Sequence, residues 1–248
     1  MFDKNDNMIE FSPSGVLYSA TFEELANSKI VNWAGNRPPD ELRIPEIVKS
    51  ILKRKHVHDY IKVAMLKDRE FSCYDGSHRL EAIKEIVKSH PDLKNYKCTV
   101  YVMKDATEGK VTDDFLEINK SISVPEIYRE SSPNSERKKV IEETVKHFYD
   151  KYKKELFRSS KKTQIPRENR ERFTERVTSL YDELDSPAYQ ILVNFLYRLS
   201  DAYRVNIDWV TMTEDKCRIC IDAGFWLFTK KDWHVYQRYG LTKEQLLK

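Results

Sequence analysis

A short strand, a tight turn and a helix follow one another between residues 71 and 89, and this unit constrains the fold of the chain most strongly. Residues 71–74 favour an extended backbone, which Asp75 and Gly76 then interrupt. Apolar side chains recur after the turn at helical spacing, at Leu80, Ala82, Ile83, Ile86 and Val87. The pattern therefore predicts a helix over residues 77–89 that begins directly after Gly76.

The predicted turn has the features of an anion-binding site. The N-terminal end of a helix carries unpaired backbone N–H groups and the positive end of the helix dipole. Gly76 allows a ligand to approach the backbone closely, and Arg79 can hold two phosphate oxygens at once. His78 can donate a hydrogen bond or carry a proton near neutral pH. These residues, with Ser77, predict a phosphate site.

Each of these residues also has a purely structural interpretation. Arg79 could form a salt bridge with Asp75 or Glu81, and His78 could be a packed imidazole. Asp75 could cap the helix, or it could hold a metal ion that accompanies a nucleotide. The residues alone leave these alternatives open.

The first half of the chain mixes strands with helices, whereas the second half is mainly helical. The mixture over residues 1–120 predicts an α/β (α+β) domain with a mixed sheet. Residues 136–157, 167–184 and 187–203 then carry apolar helical stripes, the last with Asp185 and Ser186 as its expected cap. The aromatic segment after residue 207, which includes Trp209, is expected to close a small core or to dock on these helices. We therefore predict two domains, over residues 1–130 and 131–248.

The positive charge of the chain is concentrated in one segment. The formal net charge is only +3. Residues 134–172, however, hold thirteen Lys and Arg against seven Asp and Glu. A basic segment on a nearly neutral chain indicates a polyanion such as DNA or RNA, or else a solvated helix face. The candidate phosphate contacts are Lys161, Lys162, Arg167, Arg170 and Arg172.

Composition excludes several classes of protein. No apolar run reaches the length of a membrane span and the first residues show no signal-peptide pattern, so we expect a soluble intracellular protein, cytoplasmic or nuclear, that is not secreted. Cys217 and Cys220 form a lone CxxC without the second pair that a zinc site usually needs. Cys73 and Cys98 lie in predicted core strands. We therefore predict buried thiols and no metal site.

The motif Asp-Gly-Ser-His-Arg at residues 75–79, in its strand–turn–helix setting, resembles the ParB/sulfiredoxin-like superfamily. It is most similar to the branch whose signature is Asp-Gly-Gln-His-Arg. The resemblance covers roughly residues 30–127. Within this range, an Asn-Arg-Pro-Pro loop at residues 36–39 precedes the motif, and a Phe-Leu-Glu-Ile-Asn segment at residues 115–119 follows it.

The resemblance implies a nucleoside triphosphate, ATP or CTP with Mg²⁺, as the ligand. By this likeness the phosphate cradle would consist of Gly76, Ser77, His78 and Arg79. Asn36, Arg37 and Asn119 would line the same pocket. An active site of this kind would be an NTPase or a phosphotransferase, with His78 and Asp75 as the catalytic residues, in a context of nucleic-acid metabolism. Sulfiredoxins have Cys where Ser77 stands, so sulfiredoxin chemistry is not expected.

Two other functions stay open on the sequence. The first domain could be a ParB-like scaffold with a vestigial pocket, while the basic helices bind DNA, RNA or a protein without catalysis. Alternatively, the chain could be a ParB-like nuclease, which requires a cluster of carboxylates for metal ions. A homodimer is compatible with any of these functions.

Overall fold

The structure is a computed structural model that describes residues 8–12, 14–66, 71–120, 125–128, 135–159 and 163–247. The chain forms two compact units. Unit 1 comprises residues 1–124 and 128–133, and unit 2 comprises residues 125–127 and 134–248. Among the described residues, no helix is both long and apolar enough to span a bilayer.

Unit 1 is built on a six-stranded mixed sheet. Its strands are β1 (Met8–Ser12), β2 (Gly15–Thr21), β3 (Val31–Asn32), β4 (Ile61–Met65), β5 (Phe71–Asp75) and β6 (Lys97–Met103). They lie in the order β1-β2-β6-β4-β5-β3. The pairs β3–β5 and β4–β6 are parallel, and the others are antiparallel.

This topology gathers three segments at one edge of the sheet. Strands β3 and β5 run in the same direction, so the residues after each of them leave the sheet at the same edge. Strand β4 runs antiparallel to β5, so the residues that precede β4 enter at that edge as well. The loop after Asn32, the turn after Asp75 and the segment before Ile61 therefore meet there.

Four helices complete unit 1. They are α1 (Phe22–Ala26), α2 (Ile44–Arg54), α3 (Ser77–Ser89) and α4 (Glu108–Ile118). Both α1 and α2 pack against α3, whose buried face meets the apolar side chains of the central strands. This face consists of Leu80, Ala82, Ile83 and Ile86. The predicted helix over residues 77–89 is confirmed at both ends.

Unit 2 is mainly helical. It contains α5 (Glu136–Tyr152), α6 (Arg170–Glu183), α7 (Tyr189–Val205), α8 (Glu214–Ala223) and α9 (Lys243–Leu247), with a two-residue parallel pair of strands, β7 (Phe157–Arg158) and β8 (Glu168–Asn169). Short 3-10 helices in the chain cover Pro91–Leu93, Glu126–Tyr128, Leu227–Thr229 and Tyr236–Tyr239. The predicted fold class, an α/β part with a mixed sheet followed by a mainly helical part, is confirmed.

The C-terminal aromatic segment packs on the helices of unit 2. Phe225 and Phe228 contact Phe148 of α5 and Phe173 of α6 through edge and tilted ring contacts, and Trp233 joins them fully buried. Trp209 does not take part, because its side chain is 72% exposed. The expectation that Trp209 belongs to this core is therefore wrong.

The structure also corrects two helix starts. Helix α7 begins at Tyr189 with Ala188 as its N-cap, and Asp185 and Ser186 adopt left-handed backbone angles instead of capping it. Helix α6 begins at Arg170, because the preceding residues form β8 and the Asn169 side chain accepts hydrogen bonds from the first free amides of the helix.

Candidate functional site

The turn after β5 requires glycine at its centre. Gly76 has φ 87°, a left-handed angle that side chains disfavour. A Cβ atom at this position would also lie 2.9 Å from Arg79 Nη2 and 3.2 Å from the Cα of Ile61. Gly76 has no side chain to cap α3, so it leaves the first amides of the helix to other partners. The close approach brings the Arg79 guanidinium directly over the turn.

Two carboxylates hold Arg79 in this position. Its Nη2 donates to Asp75 at 2.9 Å, and its Nη1 lies 3.4 Å from Asp59. Its Nε is buried and lacks a hydrogen-bond partner in the described part of the chain. The predicted salt bridge with Asp75 is thus present, whereas Glu81 pairs with Lys84 instead. Asp75 does not cap the helix, because Gly76 occupies the N-cap position.

His78 connects the start of α3 to the loop that follows β3. Its Nε2 accepts a hydrogen bond from the backbone N–H of Asp40 at 2.8 Å. A ring nitrogen that accepts a hydrogen bond carries no proton, so the imidazole is neutral and its proton lies on Nδ1. This bond occupies Nε2 and fixes the plane of the ring. The imidazole therefore positions the loop, in agreement with the packed interpretation.

The other three predicted contacts form a connected group. Asn36 is buried and donates to the side chain of Asn32 at 3.3 Å, which fixes the turn after β3. Arg37 Nη2 donates to Asn119 Oδ1 at 3.4 Å. Asn119 in turn donates to the carbonyl of Phe115 at the end of α4. The loop and the end of α4 thus hold Arg37 in a defined place.

All eight residues predicted for the nucleotide and its chemistry line one cavity of about 590 Å³. A volume of this size is typical of small-molecule sites. Three arginines and three carboxylates face it, so its formal charges balance: Arg37, Arg43 and Arg79 with Glu46, Asp59 and Asp75. Apolar side chains cover another part of the wall: Ile47, Ile51, Val57, Phe115 and Ile118. The cavity therefore combines charged side chains of both signs with an apolar wall.

Sequence reasoning missed part of this site. Arg43, His58 and Asp59 line the cavity, although no motif marks them. The predicted hairpin could have indicated His58 and Asp59. The residues that precede a strand antiparallel to β5 lie at the same edge of the sheet as the turn that follows β5. Glu46 also lines the cavity, whereas Asp40 and Glu41, which precede the same helix, do not.

Of the five predicted nucleic-acid residues, the structure describes three, and these do not all line one cavity. Lys161 and Lys162 lie outside the described residues. Arg170 stacks over the ring of Tyr149, 4.6 Å from its centroid. Arg167 and Arg172 line a second cavity, which belongs to unit 2.

The four cysteines are all buried. Burial raises the pKa of the Cys73, Cys98 and Cys220 thiols to about 12. Cys217 and Cys220 belong to an apolar cluster with Met212 and Trp226. Packing therefore accounts for these thiols, as predicted.

Comparison with known proteins gave two matches. Residues 58–175, just under half of the chain, match the model of a family described as DndB, DNA-sulfur modification-associated. A search of solved structures found a Pnob8-like ParB-N domain at 12% identity and a TM-score of 0.36, covering 95% of this chain and 98% of that one. No curated protein matched. The matched family segment includes the Gly76 turn and ends in α6.

Proposed function

We propose that unit 1 binds a nucleoside triphosphate in the cavity at the Gly76 turn. One observation supports this proposal most: eight residues chosen from a sequence motif and two distant segments line a single cavity. Asn36 and Asn119 are separated by more than eighty residues in the chain, yet both reach the cavity wall.

In this proposal the phosphates lie at the start of α3. The first amides of the helix and the guanidinium groups of Arg79 and Arg37 would donate to the phosphate oxygens. The buried Nε of Arg79, which lacks a partner among the described residues, would gain an acceptor.

A Mg²⁺ ion that accompanies the nucleotide fits the same place. Mg²⁺ is usually held by one or two carboxylates together with the phosphates of the substrate. The carboxylates of Asp75 and Asp59 meet at the Arg79 guanidinium, so both are within reach of one small region. They would hold the ion, which would neutralise phosphate charge there.

Catalysis is the further part of the proposal. His78 and Asp75 are the candidate catalytic residues for hydrolysis or transfer of a phosphoryl group. His78 lines the cavity, and an imidazole can carry a proton near neutral pH. In such reactions the protein contributes mainly positioning and stabilisation of charge.

A role connected with DNA is proposed from the family description. The matched family is described as associated with DNA-sulfur modification, and the match covers both the Gly76 turn and the basic segment. The alternative function is DNA binding by unit 2 with a vestigial pocket in unit 1. The Arg79–Asp75 pair favours this alternative, since a carboxylate already pairs with the Arg79 guanidinium in the absence of phosphate.

Thermal unfolding with ATP, CTP and GTP, with and without Mg²⁺, tests the proposal. A nucleotide at 100 times its dissociation constant is expected to stabilise the protein by about 2.7 kcal/mol. Arg79→Ala should abolish the shift. Arg54→Ala, which removes an exposed arginine at the end of α2, should preserve it. If none of the nucleotides stabilises the wild-type protein, unit 1 is a scaffold and the proposal fails. Release of inorganic phosphate then distinguishes binding from hydrolysis.

A further inference from the structure

A second cavity, in unit 2, has a large excess of positive charge. Its volume is about 740 Å³. Among the described residues, six cations line it against two carboxylates, Glu168 and Asp208. The cations are Arg167, Arg172, Arg176, Lys216, Lys230 and Lys231.

Both carboxylates are already engaged. Glu168 is buried and forms ion pairs with Arg176 and Arg172. Asp208 accepts hydrogen bonds from the Val210 amide and the Thr211 hydroxyl, and these bonds hold the pKa of Asp208 below its ordinary value. Glu168 is therefore committed to two arginines, and among the described residues Asp208 is the one other carboxylate that faces the remaining four cations.

Within the described residues the remaining four cations form no close ion pair with a carboxylate, and the attraction between Asp208 and Lys230 acts at longer range. The Nε of Arg167 is buried without a hydrogen-bond partner there. Lys216 donates to the carbonyl of Thr211, and Lys230 lies over the ring of Tyr239. Lys231 is exposed. An anion in the cavity would supply the missing acceptor for Arg167 and would neutralise the lysines.

An exposed tryptophan lies beside this cavity. Trp209 stands between Asp208 and Val210, both of which line the cavity wall, and its side chain is 72% exposed. The other three tryptophans are at most 8% exposed. A large aromatic ring in water next to a group of cations is the combination with which proteins bind single-stranded nucleic acid, by stacking a base and holding its phosphates.

We propose that unit 2 binds an unpaired stretch of nucleic acid, with phosphates in the cationic cavity and a base stacked on Trp209. This deepens the DNA-related role proposed above and does not depend on nucleotide binding by unit 1. The proposed binding surface differs from the one that the sequence predicts. Four of its residues lie outside the basic segment over residues 134–172, namely Trp209, Lys216, Lys230 and Lys231.

Tryptophan fluorescence of the full chain offers a direct readout. Trp209 is the one tryptophan accessible to a stacking base, so binding of a thymidine 20-mer should quench the emission from this residue. Trp209→Ala should remove the quenching and weaken binding about tenfold, measured by anisotropy of the labelled strand. Trp209→Phe should retain most of the affinity, because it keeps an aromatic face.

A matched pair of lysine variants tests the cavity. Lys230→Ala/Lys231→Ala should weaken binding at least tenfold and reduce the dependence of affinity on salt. Lys139→Ala/Lys146→Ala removes the same charge from exposed positions of α5 inside the basic segment, and it should change affinity less than twofold. All four lysines are at least partly exposed, so both proteins should fold.

The proposal is overturned if neither a thymidine nor a uridine 20-mer binds at low salt, or if the control lysines matter as much as the cavity lysines. It is also overturned if a duplex binds as tightly as the single strand and Trp209→Ala has no effect. Binding of either strand supports the site, and the tighter one identifies DNA or RNA. Arg79→Ala should leave strand binding unchanged, so failure of the nucleotide proposal would be seen separately.

Discussion

Cations and carboxylates line both cavities, but the two kinds of charge are equal in number only in unit 1. In unit 1, three arginines face three carboxylates, and Arg79 is held by Asp75 and Asp59. In unit 2, six cations face two carboxylates that already have partners. The number of cations in a segment therefore says little about anion binding. What decides it is whether a carboxylate already neutralises each cation.

The difference has consequences for the ligand. In unit 1, a phosphate must compete with Asp75 and Asp59 for Arg79, so a ligand that brings its own cation has an advantage. In unit 2, an anion displaces no carboxylate from Arg167 or Lys231. Ligand binding by unit 1 should therefore depend on Mg²⁺, and anion binding by unit 2 should depend on the salt concentration.

The largest expected effect comes from Glu168, the buried carboxylate of unit 2. Glu168→Ala leaves Arg176 mostly buried without its main partner, which should lower the free energy of unfolding by about 3–5 kcal/mol. Denaturation with urea measures this change. Glu143→Ala, at an exposed position of α5, should stay within about 0.5 kcal/mol of the wild-type value. Equal stability of the two variants would show that water, and not Glu168, satisfies the arginines.

Gly76→Ala should have the next largest effect. The left-handed angle and the contacts with Arg79 and Ile61 together should lower the free energy of unfolding by about 2–3 kcal/mol. The added methyl group should also displace the Arg79 guanidinium. Gly224 offers a matched control, since it has φ 64° and open space around it. Gly224→Ala should lower the free energy of unfolding only through its unfavourable backbone angle, by about 1–2 kcal/mol. Urea denaturation of both variants gives the comparison, and equal losses would mean that Arg79 moves away freely.

The sequence predicted the core of the unit 1 site because that site depends on local patterns. The apolar spacing after Gly76 located helix α3 at both ends, and the motif placed Arg79 on its first turn. Its ion pair with Asp75 joins residues only four positions apart in the chain, which is why it could be considered in advance.

The cavity of unit 2 could not be predicted in this way. Lys230 and Lys231 lie about sixty residues from Arg167 in the chain, and only the packing of the C-terminal aromatic segment on the helices brings them to one wall. The prediction for Trp209 was wrong for a related reason. A tryptophan is expected in a core from its apolar character, whereas the turn over residues 208–211 exposes this one. Charge counted along the chain likewise grouped Arg170 with Arg167 and Arg172, whereas Arg170 stacks on Tyr149 and does not line this cavity.

Asp75→Asn should separate the two roles of the carboxylate in unit 1. It weakens the hold on Arg79, which should strengthen nucleotide binding without Mg²⁺ by a factor of about three to ten, equivalent to about 1 kcal/mol. It also removes a candidate ligand of Mg²⁺, so the benefit from Mg²⁺ should shrink. Titration calorimetry with and without the ion measures both effects. Weaker binding without Mg²⁺ would show that Asp75 positions Arg79 for the phosphate and does not compete with it.

The smallest expected effect concerns the dependence of stability on pH, through two partly buried histidines of unit 2. Burial, together with Lys151, lowers the pKa of His147, and burial with Arg176 lowers that of His234. Above the ordinary pKa of about 6.5, both histidines are neutral whether the chain is folded or unfolded. As the pH falls below this value the unfolded chain takes up protons first, so the stability of unit 2 should decrease towards acid.

Urea denaturation at pH 7.5 and at pH 5.5 tests this expectation. The wild-type protein should lose stability between these values. In His147→Gln/His234→Gln the loss should be smaller, even if the absolute stability is lower, because neither position can then bind a proton. The hydrogen bonds of His147 with Tyr197 and Tyr189 also disappear in this variant, which is why the pH dependence, and not the stability at one pH, is the quantity to compare. An unchanged pH dependence would show that groups other than these two histidines cause the acid sensitivity.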